Sequence, residues 1–504
     1  MNSQYTAVAA TGRPKTEGRA GSRMLNSVVW TGAATWATQL ITWAYMIVLA
    51  RMLTPADFGL IGMANLLLEI LTVASQFGVS AAIVMLRDLT QDQISQLNTV
   101  ALMSSAALFA ISCAAAHPLG RFFRAPALPV VVMVLSAGLL ILSFRIVPDG
   151  LLQRECRYKL LAKIQAAQVV SYALAAVVSV FLGAGYWSLV IANLAGVSVA
   201  TVITLCFRKH SFAWPRLASL QQSLIFSGHV FGLRLAWYCN SNADFVVAGR
   251  VLGEAALGSY NIAWNLATQP MQKFTDLVTR VVPAYFSKVH DDPGALREYV
   301  LTITQALSLL TLPATLGLAL VADDLIAVAF GPKWMNAAAP LQLLALYAAL
   351  RSITSFFAPL LNVTGHSRFL MWNHILGVLY FAAAFYFGSR WGVVGIALMW
   401  PLLYPFLAVP MYIRVFKQIN LSFRVYMAYL RPALTGSLIM VAVVLMLKKA
   451  LLFDAAYLRL LVEIATGAVI YSLAVAGLFS GQLRGVLALI RPATPKLVLA
   501  AERN

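Results

Sequence analysis

Charged residues are scarce in this chain of 504 amino acids, where they make up 11 % of the sequence, against about 25 % in an ordinary globular domain. Hydrophobic residues instead reach 61 %, and the mean hydropathy is +0.79 over the whole chain. This composition excludes a soluble multidomain enzyme and a disordered chain. It is typical of an integral membrane protein.

Cysteine and acidic residues are also few. The four cysteines are Cys113, Cys156, Cys206 and Cys239. Their spacing fits neither a disulfide framework nor a metal-ligand pattern, which excludes a secreted disulfide scaffold. Asp and Glu number 18 against 37 Lys and Arg, so the formal net charge is +19. In a soluble protein this charge would indicate nucleic-acid binding. In a membrane chain it indicates positive loops that fix orientation, and we expect no nucleic-acid partner.

Enzyme and channel signatures are missing as well. The chain has no Walker A motif, no Gly-rich dinucleotide loop and no HExxH zinc pair, and it lacks the repeated filter residues of a channel. We therefore expect no catalytic residues, no cofactor and no metal site. The longest predicted outer loop, 321–338, carries Asp323, Asp324 and Lys333, which is a weak basis for an enzyme active site.

Apolar runs of about 20 residues, long enough to cross a bilayer, occupy most of the chain. We predict fourteen spans and no extramembranous domain, because no interval between spans exceeds about 20 residues. The spans fall near 27–50, 57–86, 97–116, 128–150, 164–183, 186–207, 224–250, 255–286, 300–320, 339–362, 369–388, 391–412, 432–447 and 460–480.

Basic residues are unevenly distributed between alternate loops. With the N-terminus inside, 23 of the 37 Lys and Arg residues fall in cytoplasmic segments and 9 in outer segments. Since Lys and Arg are enriched in cytoplasmic loops, we predict a multi-pass membrane protein with both termini in the cytoplasm.

The sequence contains an internal repeat. With a shift of 199 residues, Arg51 to Gly59 aligns with Arg250 to Gly258 without a gap, so spans 1–2 correspond to spans 7–8. Six spans per half give both copies the same orientation, related by a pseudo-twofold axis along the membrane normal. We predict an all-α fold with a polar tail (1–26), two six-helix bundles (27–207 and 224–415) joined by a cytoplasmic linker (208–223), and two added helices with a cytoplasmic tail (416–504).

Ionisable and amide side chains cluster on particular faces of the predicted spans. Such groups are costly in a membrane and normally face a bundle interior or a water-filled cavity. We predict a midplane substrate site that includes Arg234, Trp237, Asn240, Lys273, Arg280, Arg351, Trp36, Gln39 and Trp43. Three carboxylates are predicted to act in cation coupling or charge pairing: Asp244, Asp276 and Glu69.

Structural roles are the alternatives for several of these residues. Lys273, Asp276 and Arg280 have the spacing of an ion-pair ladder along one helix. Arg145 and Arg280 could extend to a membrane surface, and interfacial anchoring accounts for most membrane tryptophans. His374 and Glu463 are interpreted as packing positions near span ends.

Several motifs resemble those of a known family. These are Met52 to Leu60 after the first span, Gln76 to Val84, Asp244 followed by Gly249 to Gly253, and Gly258 to Asn261. Together they are similar to the N-terminal and central motifs of Wzx-type polysaccharide exporters, the lipid-linked oligosaccharide flippases, with the colanic-acid-exporter-like branch most alike. The similarity covers roughly residues 25–415.

This resemblance implies the fold of the multidrug/oligosaccharidyl-lipid/polysaccharide exporter superfamily and alternating access. It also implies an undecaprenyl-diphosphate-linked oligosaccharide as substrate, a coupling proton or sodium ion, and a polysaccharide polymerase and chain-length regulator as partners besides membrane lipids. Two alternatives stay open. A multidrug/cation antiporter of the same superfamily would have a more acidic cavity, and a membrane-bound polymerase or ligase would depend on outer-loop residues.

Overall fold

The computed structural model describes residues 37–76, 79, 83, 89–216, 238, 241–279, 293–450 and 455–479, and no strand occurs among them. Residues 37–52 form α1. The other helices are α2 (Pro55–Gln76), α3 (Gln91–Phe123), α4 (Leu128–Arg154), α5 (Tyr158–Phe181), α6 (Trp187–Phe207), α7 (Ala243–Val247), α8 (Glu254–Thr279), α9 (Pro293–Leu325), α10 (Ala338–Thr354), α11 (Phe357–Val363), α12 (Ser367–Gly388), α13 (Gly392–Gln418), α14 (Phe423–Ala450) and α15 (Ala456–Leu478).

Helices that could cross a membrane dominate the described chain. Ten stretches among the described residues are long and apolar enough to do so. The longest, Arg368–Gln418, contains both α12 and α13. The all-helical membrane fold is therefore confirmed, whereas the number of fourteen spans stays a prediction. The last two predicted spans correspond to the longer helices α14 and α15.

The described residues divide into two compact units. The first draws on Met1–Leu49, Ser75–Leu108 and Ala137–Gly228, and the second on Ala50–Ala74, Phe109–Ser136 and His229–Asn504. Each has its own apolar core. In the first unit the core includes Ile94, Leu97 and Val147. In the second it includes Phe356 and Phe357, which are both fully buried.

Two helices begin with reciprocal side-chain caps that the sequence encodes. At the start of α2 the Thr54 N–H donates to Asp57 Oδ2 over 2.7 Å, and the Asp57 N–H donates to Thr54 Oγ1 over 3.3 Å. Thr90 and Gln93 make the same exchange at α3, over 2.9 and 3.2 Å. These capping boxes satisfy N–H groups that have no partner inside the helix, which fixes where each helix begins.

The first turns of α2 and α8 cross in close contact within the second unit. A Cβ atom added to Gly59 would lie 1.8 Å from the Glu254 carbonyl oxygen, and one added to Gly258 would lie 1.8 Å from the Pro55 carbonyl oxygen. Gly59 and Gly258 differ by 199 positions, as do Pro55 and Glu254. The contact is therefore reciprocal, as a local twofold axis between the two repeat copies requires.

The end of α1 is fastened to the segment that follows α9. Lys333 Nζ donates to the carbonyl oxygens of Arg51 and Leu53 over 2.9 and 2.6 Å, and Trp334 Nε1 donates to the Ala50 carbonyl over 2.8 Å. Arg51 in turn donates to the carbonyls of Val328 and Ala329. Because the last carbonyls of a helix lack intrahelical partners and favour cations, each helix end satisfies the other.

The segment 321–338, expected to be an outer loop, is helical at every residue except Gly331. Helix α9 continues as a π-helical turn (Ile326–Phe330), which is followed by a 3₁₀ turn (Pro332–Ala337). Asp324 at the end of α9 lies 2.6 Å from Arg459 Nη2 and 3.8 Å from Lys448 Nζ. This carboxylate is therefore held in ion pairs to α14 and α15.

Candidate substrate cavity

A polar cavity of about 460 Å³ lies within the second unit. Helices α2, α8 and α10 and the segment that leads into α7 supply its walls. The lining consists mainly of amides and aromatic rings, with one acid and one base: Gly62, Asn65, Leu66, Glu69, Tyr238, Ser241, Asn242, Phe245, Asn261, Trp264, Asn265, Gln272 and Arg351. In a chain with 11 % charged residues, this concentration of polar groups marks the cavity as the candidate site.

The repeat explains which faces of α2 and α8 meet at the cavity. Gly62, Asn65 and Leu66 line it from α2. The positions 199 residues further on are Asn261, Trp264 and Asn265, and these line it from α8. Equivalent faces of the two copies thus surround one space, although their side chains differ.

Helix α8 carries a ladder of hydrogen-bonded amides. Asn265 Nδ2 donates to Asn261 Oδ1 over 2.7 Å, and Gln269 Nε2 donates to Asn265 Oδ1 over 2.8 Å. Residues four apart lie on one face of a helix, so the ladder runs along the cavity wall. Amides present both donors and acceptors, which suits them to hydroxyl groups rather than to a simple ion.

Arg351 and Glu69, both predicted site residues, line the same cavity. The Arg351 guanidinium carbon lies 5.9 Å from the centroid of the Tyr347 ring. The attraction between a guanidinium and an aromatic ring helps to hold the side chain in place. Arg351 can therefore bind an anion bidentately at one part of the cavity, with the Glu69 carboxylate as a second polar group on the opposite helix α2.

Asp244 lies behind an aromatic wall of the cavity and is fully buried. Its Oδ2 accepts hydrogen bonds from Tyr260 Oη and, over 2.9 Å, from Trp400 Nε1. Its Oδ1 has no hydrogen-bond partner among the described residues. A carboxylate in this setting is costly to keep charged unless its donors are well placed.

An aromatic cluster joins Asp244 to the cavity. Trp264, which lines the cavity, has its ring centroid 5.3 Å from that of Trp400 and 6.0 Å from that of Tyr347. The Tyr347 and Trp400 centroids are 4.6 Å apart. Arg351 contacts this cluster at Tyr347 and Asp244 contacts it at Trp400. The structure thus places Arg351 and Glu69 in one cavity and connects Asp244 to it through the cluster.

The remaining predicted residues lie elsewhere or outside the described part. Gln39 and Trp43 are on α1 in the first unit, where Gln39 is buried and Trp43 half-buried. Lys273 and Asp276 lie on α8, but their side chains are outside the description. The other predicted site residues fall outside the described residues altogether: Trp36, Arg234, Trp237, Asn240 and Arg280.

Sequence reasoning predicted none of the five amides that line the cavity. Asn261 and Asn265 are four apart and Asn65 lies four residues before Glu69, so a search for amides at helical spacing would have found them. Arg145, for which extension to a membrane surface was predicted, contacts two polar side chains. It donates to Asp149 over 2.8 Å and to Gln168 over 3.1 Å within the first unit. Among the described residues no group of His, Cys, Asp and Glu could hold a metal ion.

The fold is similar to those of two solved membrane transporters. The chain superposes on the inward closed conformation of the lipid II flippase MurJ with a TM-score of 0.74, covering 90 % of this chain and all of the other at 13 % identity. It superposes on an inward-facing multidrug resistance MATE family transporter of the MOP superfamily with a TM-score of 0.57, covering 76 % and 94 % of the two chains at 15 % identity. These likenesses establish the fold alone.

The sequence assigns the protein to a family, which is more specific than the fold. Residues 48–339 match the family described as "Polysaccharide biosynthesis protein", and the chain belongs to this family of exporters. It is 25 % identical to the lipopolysaccharide biosynthesis protein WzxC of Escherichia coli K12, covering 75 % of this chain and 77 % of the relative. It is 26 % identical to the succinoglycan biosynthesis transport protein ExoT of Rhizobium meliloti, covering 89 % and 92 %.

Proposed function

We propose that this protein moves an undecaprenyl-diphosphate-linked oligosaccharide from the cytoplasmic to the periplasmic leaflet of the bacterial inner membrane by alternating access. The product would serve the synthesis of an exopolysaccharide, a capsule or an O-antigen. A polysaccharide polymerase and a chain-length regulator would act on it afterwards. Membership of the exporter family and the names of its relatives support this class of substrate.

The amide-lined cavity is the observation that carries the proposal. A sugar unit presents hydroxyl groups and apolar ring faces, and the cavity offers amides on α2 and α8 together with Trp264 and Phe245. Arg351 provides the cation that a diphosphate requires. A cavity for lipophilic cations would need acidic groups in excess, whereas this one is lined by one acid and one Arg.

Transport also needs energy, and Asp244 is our candidate for cation coupling. Its buried carboxylate is held by Tyr260 and Trp400 and lies beside the aromatic cluster that reaches the cavity. Substrate binding against this cluster would change the surroundings of the carboxylate and so link occupancy to protonation. The roles predicted for Arg234, Lys273, Arg280, Trp36, Trp237 and Asn240 remain part of the same hypothesis.

The decisive experiment follows lipid-linked oligosaccharide across the membrane. In a strain that lacks the protein, the oligosaccharide should accumulate on the cytoplasmic face and resist a periplasmic glycosidase. An antiporter would leave its distribution unchanged, and a polymerase would leave single repeat units on the periplasmic face. Either of these results would overturn the proposal.

Two variants test whether transport depends on the amides of the cavity. Asn261→Ala with Asn265→Ala should reproduce the accumulation, because two amides of the ladder are lost. Asn373 serves as the matched control: its Nδ2 donates to the Leu407 carbonyl over 3.1 Å and it does not line the cavity. Asn373→Ala should therefore leave transport close to that of the unaltered protein at equal protein levels.

A further inference from the structure

A second concave surface lies in the first unit, between the beginning of α5 and the end of α6. This groove has a volume of about 660 Å³. Three cations line it, namely Arg157, Lys159 and Lys163, and they face an apolar floor that includes Leu160, Ile203 and Phe207. Neither the substrate cavity nor the aromatic cluster involves any of these residues.

The cations of the groove have no acidic partner in the part of the chain that the structure describes. Arg157, Lys159 and Lys163 are all exposed, and none makes an ion pair with a described residue. The neighbouring acid, Glu155, lies 2.9 Å from Arg208 Nη2 and is already paired. Helix α5 also begins without a side-chain cap, so the positive end of its dipole adds to the same field. The groove therefore favours an anion.

The shape of the groove and its apolar floor indicate which class of anion it can bind. Lys159 and Lys163 are one turn apart on α5, and Ile203 and Phe207 are one turn apart on α6. A ligand that fills the groove thus meets positive charge on one side and hydrocarbon on the other. A free phosphate would leave the floor exposed to water, whereas a phospholipid has both an anionic head and acyl chains.

Exposed aromatic residues indicate that this end of the unit lies at the level of lipid head groups. Tyr158 lines the groove and its side chain is 56 % exposed. Trp214, in the extended segment after α6, is 82 % exposed. Tyr and Trp are enriched where membrane and water meet, and basic pockets between membrane helices on the cytoplasmic side are suited to anionic lipid head groups.

We propose that this groove binds an anionic membrane phospholipid. Its phosphate lies among Arg157, Lys159 and Lys163, and its acyl chains follow Ile203 and Phe207 into the bilayer. The bound lipid neutralises the three cations and covers the floor between α5 and α6. This site is independent of the proposed transport function, because it requires only that the first unit be embedded in a membrane.

Native mass spectrometry of the full-length purified protein tests the site. The protein is exchanged into micelles that contain phosphatidylglycerol or phosphatidylcholine, and retained lipids are counted. The unaltered protein should retain phosphatidylglycerol selectively. Arg157→Gln with Lys159→Gln and Lys163→Gln should lower that retention on the order of tenfold or more, with no change for phosphatidylcholine.

The matched control removes three exposed cations from the other unit on the same predicted side of the membrane: Lys417→Gln, Arg424→Gln and Arg431→Gln. This variant should retain phosphatidylglycerol like the unaltered protein. Equal loss in both triple variants would mean a general charge effect, and equal retention of the two lipids by the unaltered protein would mean no site. Either result overturns the proposal. Displacement of phosphatidylglycerol by millimolar inorganic diphosphate would identify a site for soluble anions and would also overturn it.

A second measurement leaves the groove cations in place, so it does not depend on how the variant folds. Cys156 lines the groove, and Cys206 is exposed on α6 outside its lining. In two single-cysteine proteins, a neutral maleimide should label Cys156 several-fold more slowly in nanodiscs of phosphatidylglycerol than of phosphatidylcholine. Labelling of Cys206 should differ much less between the two lipids. The same ratio for both cysteines would contradict a lipid bound in the groove.

Discussion

Gly59 and Gly258 occupy equivalent places in the two repeats, and each lies against the backbone of the other's helix. A methyl group at either position would come within 1.8 Å of a carbonyl oxygen. The absence of a side chain is therefore what lets α2 and α8 cross at their first turns. Since the cavity lies between the same two helices further along, this crossing sets the width of the cavity at one end.

Gly59→Ala should consequently force α2 and α8 apart. Overpacking of this kind costs about 1–3 kcal/mol, so we expect a lower melting temperature for the purified protein and reduced export. Gly62→Ala is the control on the same helix, because its Cβ would lie 3.5 Å from Leu257 Cδ2 in ordinary contact. Similar melting temperatures for the two variants would show that the crossing is not tight in the membrane.

Arg351 should be needed for transport rather than for folding. If Arg351 holds the diphosphate, Arg351→Ala should reduce export roughly tenfold or more through the loss of charge-assisted hydrogen bonds. Arg351→Lys should keep partial activity, since the charge survives without the bidentate geometry.

Arg390 offers a matched control for Arg351. Its guanidinium carbon also lies over an aromatic ring, 5.3 Å from the Phe387 centroid, but it does not line the cavity. Export assays at equal membrane levels should show Arg390→Ala near normal. Normal export by Arg351→Ala would remove Arg351 from the substrate site.

Two substitutions of Asp244 should distinguish its contribution to stability from its role in cation coupling. Asp244→Ala removes the acceptor of two buried donors, on Tyr260 and Trp400, and should cost about 1–3 kcal/mol of stability. Asp244→Asn keeps an acceptor oxygen but cannot ionise. We expect it to reach normal protein levels and to lose transport driven by a pH gradient, while substrate binding is kept.

Transport by Asp244→Asn can be measured as uptake of lipid-linked oligosaccharide into inverted vesicles or as its flipping in proteoliposomes. Each assay is run with and without an imposed pH gradient. Tyr260→Phe is the companion variant, because it removes one hydrogen-bond donor to Asp244 and leaves the carboxyl group itself in place. Full gradient-driven transport by Asp244→Asn would assign the carboxylate a packing role.

The orientation of the chain can be tested at two points that lie outside helices. A reporter enzyme that is active only in the periplasm should be silent when fused after Phe212 and active when fused after Gly253. The expectation rests on the excess of Lys and Arg in the segments predicted to be cytoplasmic. The reverse pattern of activity would overturn the orientation and the number of spans before Gly253.

The membrane class, the helical fold and the family could all be predicted from the sequence. These follow from local properties: long apolar runs can only be membrane helices, and Thr54–Asp57 and Thr90–Gln93 encode helix starts. The alignment of Arg51 to Gly59 with Arg250 to Gly258 predicted which helices correspond to each other. Glu69, Asp244 and Arg351 could be identified as site candidates because an ionisable residue within a membrane span is unusual.

The partners of these residues could not be predicted and became known from the packing of the helices. Asp244 is bound by Tyr260 and Trp400, which are 16 and 156 positions away along the chain, and no periodicity in sequence connects the three. Asp324, expected in an outer loop, is instead paired with Arg459 and Lys448 at the end of a helix. The amide lining of the cavity likewise depends on how α2 and α8 cross. The contacts of a buried side chain depend on how helices distant in sequence pack against each other. Whether a segment forms a helix depends mainly on the residues within that segment.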